Sequence, residues 1–226
     1  MPEFDIEDRP AASSLVERIW RGHSAGGGSF VSRATSPWEM VVTRQRDRVT
    51  FTVRGPETTA SPAPIPEDAA FVGITFRLGV VLPHLPPGAL VDGAVTLPDA
   101  TRTSFWLAGR TWPFPDYDTA DTFVARLVRA GLLVHDPIVT AALAGHATDL
   151  SRRSVQRRIV RATGLTPHTI HQIERAHAAA ALLAQGIAIL DVVDRLGYAD
   201  QPHLTRSLRR FIGHTPAHLL RQCRLA

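Results

Sequence analysis

An offset of 49 residues brings two stretches of the second half of this chain into register, and this repeat constrains the fold more than any other feature. Gly164, Thr166 and Pro167 fall on Gly213, Thr215 and Pro216, and upstream Val155, Arg157 and Ile159 fall on Leu204, Arg206 and Leu208. Each copy carries an apolar i, i+4 pair that turns one helix face inward, with an arginine between them on a different face. Each copy then stops at a glycine, the residue that most readily takes the left-handed backbone closing a helix. It restarts at Thr-Pro, where the missing proline N–H costs nothing. Two unrelated amphipathic helices would share the apolar spacing but not the Gly-x-Thr-Pro ending.

The surrounding pattern is helical from Thr119 onward. Thr119 is placed to cap a helix with Phe123, Leu127 and Val128 as apolar positions. Asp136-Pro137 opens a second helix through residue 143, and Ser151 caps a third that ends at Gly164. Thr166-Pro167 opens a helix of 20 residues, 166–185, about 30 Å long at roughly 1.5 Å per residue. Gly186 ends it, and helices over 187–196, 201–212 and 216–221 follow. In the second copy a short helix, a turn at Gly197-Tyr198-Ala199 and a helix capped by Asp200 make the helix-turn-helix plan. Leu204, Leu208 and Phe211 face inward. The other face offers Gln201, His203, Thr205, Arg206 and Arg209, and such side chains read base edges, Arg gripping guanine and Gln adenine.

The stretches LSRRSVQRRIVRATGLTP and ILDVVDRLGYADQPHLTRSLRRFIGHTP resemble the two helix-turn-helix units of the AraC/XylS family of bacterial transcription regulators. The intervening QIERAHAAAALLAQG, with Arg175, Ala176, Leu182 and Leu183, is similar to that family's connecting helix. The resemblance covers roughly residues 120–221. It implies a bilobed all-α domain whose two recognition helices enter successive major grooves of double-stranded DNA. Carried over by position, Arg153, Gln156 and Arg157 read the first half-site, and Gln201, His203, Thr205 and Arg206 read the second. A connecting helix of about 30 Å suits grooves about 34 Å apart. Ile159 and Ala162 are smaller than the aromatics common at those positions, and the chain departs from the pattern in three further places. Thr148 replaces the turn glycine in the first unit, residues 145–150 make a looser turn, and Pro202 stands in the first turn of the second recognition helix.

Charge follows the same division. Residues 1–118 hold 11 Arg against 14 acidic residues, a net of −3, while residues 119–226 hold 14 Arg against 7, a net of +7. A basic half neutralises phosphates and releases counterions, whereas the same charge spread evenly would only solvate a surface.

Residues 1–115 read as a β-rich domain, separate from the helical domain at 119–226, so the fold class expected is α+β. Candidate strands are 15–20, 30–33, 39–43, 49–53, 71–76 and 80–82, with a hairpin connection between Thr43 and Val49. Breakers lie at Gly26-Gly27-Gly28, Gly55-Pro56, 62–66 and 83–88. The family often places a cupin-like barrel here that senses a small molecule or forms a homodimer, so an effector and a second copy are candidate partners beside DNA and RNA polymerase. Trp20, Trp38, Phe51, Phe71, Phe76, Trp106, Trp112 and Phe114 either line a pocket or, the blander reading, fill a core.

Enzymatic readings find no support. There is no nucleophile elbow and no phosphate loop. The single cysteine, Cys223, excludes an internal disulfide, a multi-cysteine zinc site and cysteine-based alkyl transfer, and reads as a plain helix-end residue. His23 and His84 stand far apart, and His168 and His171 lack a third ligand, so neither a metal nor a cofactor is expected. No apolar run is long enough to span a membrane, and residues 1–10 lack a secretory layout, so the expected location is the bacterial cytoplasm, at the nucleoid. Two other classes of function remain open: a protein-interaction module with incidental DNA affinity, and a β-barrel small-molecule-binding protein or enzyme with a helical appendage.

Overall fold

A computed structural model of the chain describes residues 4–223, and its contacts divide into two compact units. The first comprises Met1–Ser29, Pro37–Pro56 and Pro64–Thr166; the second comprises Phe30–Ser36, Glu57–Ala63 and Pro167–Ala226. The α+β class is as expected, with the strands gathered before the helices apart from a two-residue strand, Val134–His135. The division between the units does not follow the change in composition at residues 115–119.

The strands in chain order are β1 (Phe4–Arg9), β2 (Val16–Ser24), β3 (Gly28–Ser32), β4 (Glu39–Gln45), β5 (Arg48–Arg54), β6 (Ser61–Ile65), β7 (Ala69–Phe76) and β8 (Val80–Val81), then β9 (Ala94–Leu97), β10 (Asp99–Thr101), β11 (Ser104–Leu107), β12 (Arg110–Pro113) and β13 (Val134–His135). Six of them form an antiparallel sheet in the order β1-β2-β7-β4-β5-β9. The order leaves β1 and β9 as edges, so the sheet is open and the closed, cupin-like barrel is not formed among the described residues. The β4–β5 hairpin arises as the polar link predicts: Gln45 pairs with Arg48 across a two-residue turn, with Arg46 at φ 52°. Met40 opposite Val53 and Val42 opposite Phe51 are all buried. On β7, Gly73 lies opposite Trp20 of β2, and the indole covers the space a Cβ would need.

The first unit's core takes in a helix that composition assigns to the other half. Helix α1 (Ala120–Arg129) buries Ala120, Phe123, Val124 and Leu127 in the same cluster as Ile19, Phe51, Ile74, Phe105 and Trp112. Phe123 meets Phe51 edge-on at 5.8 Å between centroids and Trp112 at 6.1 Å. An amphipathic helix buries its stripe against whatever apolar face lies near, and here that face is the sheet's. Thr119 precedes α1 but its side chain caps nothing in the helix. Its hydroxyl instead donates to Asp116 Oδ1 and accepts from the Asp116 N–H. The hydroxyl's donation to Oδ1 first, then the Thr119 and Asp118 amides, hold the Asp116 carboxyl below its ordinary proton affinity. Of the aromatic residues named above, Trp38, Phe51, Phe76 and Trp112 are buried in the core; Trp20, Phe71 and Phe114 are half-buried, and Trp106 is exposed.

Two more helices, α2 (Pro137–Leu143) and α3 (Arg152–Thr163), also belong to the first unit. The β13 strand just before α2 pairs with β8, the Asp136 N–H donates to the Gly79 carbonyl at 2.8 Å, and Thr140 Oγ1 donates to the Leu78 carbonyl. At the end of α3, Gly164 takes φ 76° and lies against a 3-10 turn, Pro87–Leu90, and the residue after it. A Cβ at 164 would sit 2.6 Å from the Gly88 Cα and 2.5 Å from a Val91 methyl. Gly164→Ala therefore combines left-handed strain with a backbone clash. It should cost more than the roughly 1 kcal/mol of the conformational effect alone, read as a lowered unfolding midpoint.

Two departures among the strands have local causes. The predicted breaker at 62–66 contains β6, paired only with β3, where prolines are tolerated because one side of each strand is unpaired. Strands β9 to β12 are only 3 or 4 residues long and carry little apolar alternation. The second unit gathers α4 (Pro167–Ala184), α5 (Ile189–Arg195), α6 (Gln201–Phe211) and α7 (Pro216–Cys223) with segments 30–36 and 57–63. Its interior holds Ile170, Ile173, Leu183, Val192, Leu204, Leu208, Ile212 and Leu219, together with Ala34. Of Cys223 only the backbone lies within the described residues.

Candidate nucleic-acid interface

Both helix-turn-helix units form, each with the caps its sequence foretells. In the first, the Asp136 carboxylate accepts from the Ile138 and Val139 N–H groups, and Ser151 Oγ accepts from the Ser154 N–H. In the second, Asp200 Oδ1 accepts from the His203 N–H at 2.6 Å. These bonds satisfy donors that a helix start leaves open. The turns differ as expected: residues 144–151 separate α2 from α3, but only 196–200 separate α5 from α6. Gly197 takes φ 65° in the tight turn, and Gly145 takes φ 78° in the loose one. Pro202 falls in the first turn of α6, where no helical N–H is needed.

Helix α3 presents a basic surface. Ile159, Ala162 and Thr163 are buried, while Arg152, Arg153, Gln156, Arg157, Arg158 and Arg161 are exposed. Arg158 is engaged internally, its Nε on the Asp136 carboxylate that also caps α2. Arg153, Gln156 and Arg157 make no side-chain hydrogen bond or ion pair among the described residues. No acidic residue lies within α3.

Helix α6 buries Leu204, Leu208 and Phe211, and Gln201, Arg206, Arg209 and Arg210 are exposed on it. Gln201 and Arg206 have side chains without a partner among the described residues. His203 and Thr205 are half-buried and partly engaged by the fold. The Ala199 N–H donates to His203 Nδ1 at 3.3 Å, which assigns the neutral ring's proton to Nε2, a donor. Thr205 Oγ1 donates to the Gln201 carbonyl at 2.9 Å and keeps only acceptor capacity for anything else.

A brace behind the turn was not anticipated. Tyr198 is buried, its hydroxyl 3.2 Å from Ser207 Oγ, and the His203 ring stands edge-on against it at 5.2 Å. The Arg175 guanidinium of α4 lies over the same ring, 4.3 Å from its centroid. The sequence signal was an aromatic directly after the turn glycine, but its partner stands 23 residues upstream, outside any local pattern.

The second unit also holds a stacked histidine pair, His214 and His218, with ring centroids 4.4 Å apart. Burial first, then the neighbouring His218 and Arg33, push the proton affinity of His214 below its ordinary value of 6.5. The folded state thus disfavours protonated His214, while the unfolded chain accepts the proton at about its ordinary value. Its effect is nil well above 6.5, and stability falls as pH drops through 6.5 toward the lower folded value. His214→Gln should flatten that decline, seen in urea midpoints measured across pH.

Among the described residues no three His, Cys, Asp or Glu side chains gather as a metal site, and no helix is long and apolar enough to cross a membrane. His168 and His171 are both exposed, and His23 pairs with Asp68 at 3.4 Å.

Two capped helix-turn-helix units with unpaired Arg and Gln on their outer faces define a class, and comparison with known proteins agrees. Residues 145–222 match the family model described as a helix-turn-helix domain. Over 69 residues the chain is 42% identical to the HTH-type transcriptional regulator VirS in each of two strains of Mycobacterium tuberculosis. That match takes in 30% of this chain and spans only 20% of the length of those relatives. No solved structure matches the chain. The C-terminal part of this protein, over residues 145–222, is a helix-turn-helix domain.

Proposed function

We propose that the chain is a sequence-specific transcription regulator that reads two successive major grooves of double-stranded DNA, one with α3 and the other with α6. The observation that carries this reading is the state of the outer faces. Arg153, Gln156, Arg157, Gln201 and Arg206 are exposed, unpaired and mounted on capped helices whose other faces are buried. The capped helix backbones are fixed in advance, so only the side chains remain to be ordered on binding, and Arg and Gln offer the fork geometry that base edges require. His203 and Thr205 contribute less freely, as an Nε2–H donor and an acceptor oxygen. Pre-formed caps and buried inner faces also fit docking without large backbone change.

The strand-rich half, in this reading, senses a small molecule or carries the contacts of a homodimer, and RNA polymerase is the protein partner. The resemblance to AraC/XylS regulators supports both roles. Because Trp38, Phe51, Phe76 and Trp112 fill the core, an effector would be sought elsewhere than among them. The DNA reading is tested by titrating salt against binding to a selected duplex. The logarithm of affinity should fall linearly with the logarithm of salt, by about 0.9 per phosphate neutralised. A flat response would favour a protein partner instead.

A further inference from the structure

We infer that segments 30–36 and 57–63, which the sequence places among the strands, cap the C-terminal end of α6 and set its position as a DNA reader. The inference rests on the reading that α6 contacts DNA.

The last carbonyls of a helix have no helical donor and must find one elsewhere. At the end of α6 the Ile212 and Gly213 N–H groups both donate to the Leu208 carbonyl, at 2.8 and 2.9 Å. The two carbonyls of the helix end are met from outside: the Ala60 N–H donates to Arg210 at 2.7 Å, and the Ala34 N–H donates to Phe211 at 2.8 Å. Ala34 is fully buried, and its own carbonyl lies 2.6 Å from His177 Nε2 on α4. One segment therefore bridges the connecting helix and the recognition helix.

The two segments also hold each other. Thr35 and Glu57 exchange backbone bonds of 2.9 Å in both directions, Ser32 Oγ donates to the Glu57 carboxylate at 2.6 Å, and β3 pairs with β6. Gly213, at φ 81°, lies so close that a Cβ there would overlap a Val31 methyl and stand 3.3 Å from the Ala60 Cβ. The repeat thus acquires a second meaning. Its two glycines end their helices, and each also lets a piece of the strand-rich sequence approach: Gly88 and Val91 at Gly164, Val31 and Ala60 at Gly213.

Chain order gives the arrangement its consequence. Residue 36 runs through Pro37 into β4, and β5 runs through Gly55-Pro56 into residue 57. The two caps are thus extensions of the two ends of one hairpin, and the segments that seat α6 leave from and return to β4 and β5 along the chain.

The test uses the full chain. Ala60→Pro removes one donor, and His177→Ala withdraws a side chain from the same device should the proline variant not fold. Amide hydrogen exchange is followed at residues 204–213 and in β2, β4 and β7, and each protein is footprinted on a selected duplex. Exchange at 211–213 should rise about tenfold, the factor of one lost hydrogen bond. The strands should stay protected, and the footprint should shorten at the α6 half-site while the α3 half-site persists. Unchanged exchange would overturn the capping, and faster exchange with an intact footprint would overturn the positioning. A parent chain that bound no duplex would defeat the DNA reading and with it the positioning, while the exchange data, which need no DNA, would still decide the capping.

Discussion

Replacing Arg206 by Ala will weaken binding to the preferred duplex by on the order of 1–3 kcal/mol and relax the preference at one base pair. Arg206 lies midway along α6, exposed, between the buried Leu204 and Leu208, with no partner among the described residues. Its removal breaks nothing in the fold, so stability should stay within about 0.5 kcal/mol of the parent. An arginine that touches phosphate alone behaves differently: its loss weakens every sequence alike and flattens the salt slope. Binding assays on the preferred duplex and on single-base variants separate the two roles. If the Arg206→Ala protein kept the parent's affinity and its base preference, the role carried over to this position would be wrong.

Leu208→Ala, two residues further along the same helix, should have the opposite profile. Leu208 is fully buried and its carbonyl receives the two amides that close α6. Truncation leaves a cavity beneath the helix, at a cost of about 2–5 kcal/mol. The expected result is a large fall in the unfolding free energy, with DNA binding lost at temperatures where the helix no longer holds. Restoring DNA binding at lower temperature would distinguish this loss from that of Arg206, whose side chain is missing at every temperature. A cost below about 1 kcal/mol would mean the site collapses to fill the gap, and the packing described for α6 would need revision.

The parts of the molecule legible in the sequence are those whose chemistry is local. Asp136, Ser151 and Asp200 cap helices because a short acceptor two or three residues before an open N–H acts without help from distant chain. Gly164 and Gly213 end their helices for an equally local reason, and the apolar i, i+4 pairs announce which faces are buried. The β4–β5 hairpin is legible on the same grounds. What tertiary packing decides was not legible. Nothing in the pattern of α1 tells whether its apolar stripe meets helices or a sheet, so composition drew a boundary at 115–119 that packing ignores. Segments 30–36 and 57–63 have no period of their own, and their part in the second unit depends on backbone donors that no side-chain pattern records. Thr119 illustrates the competition: a good capping residue was taken instead by Asp116, three positions away.

The same distinction runs through the candidate site. The resemblance assigns Arg153, Gln156 and Arg157, and the outer face of α6 together with the resemblance assigns Gln201 and Arg206; all are exposed. His203 and Thr205 are assigned on the same grounds, but the turn and the helix backbone use part of their hydrogen-bonding capacity. The brace of Arg175 on Tyr198 was missed because it joins α4 to a turn that spacing alone does not bring near.

Selecting bound duplexes from a random pool with the 226-residue chain decides whether one chain carries two readers. Two short blocks should be enriched, centred about 10–10.5 base pairs apart on one face of the duplex. Arg157→Ala should degrade one block and Arg206→Ala the other. Enrichment of a single block, indifferent to Arg157, would leave only α6 as a reader, and a pool that never departed from random would contradict the account outright.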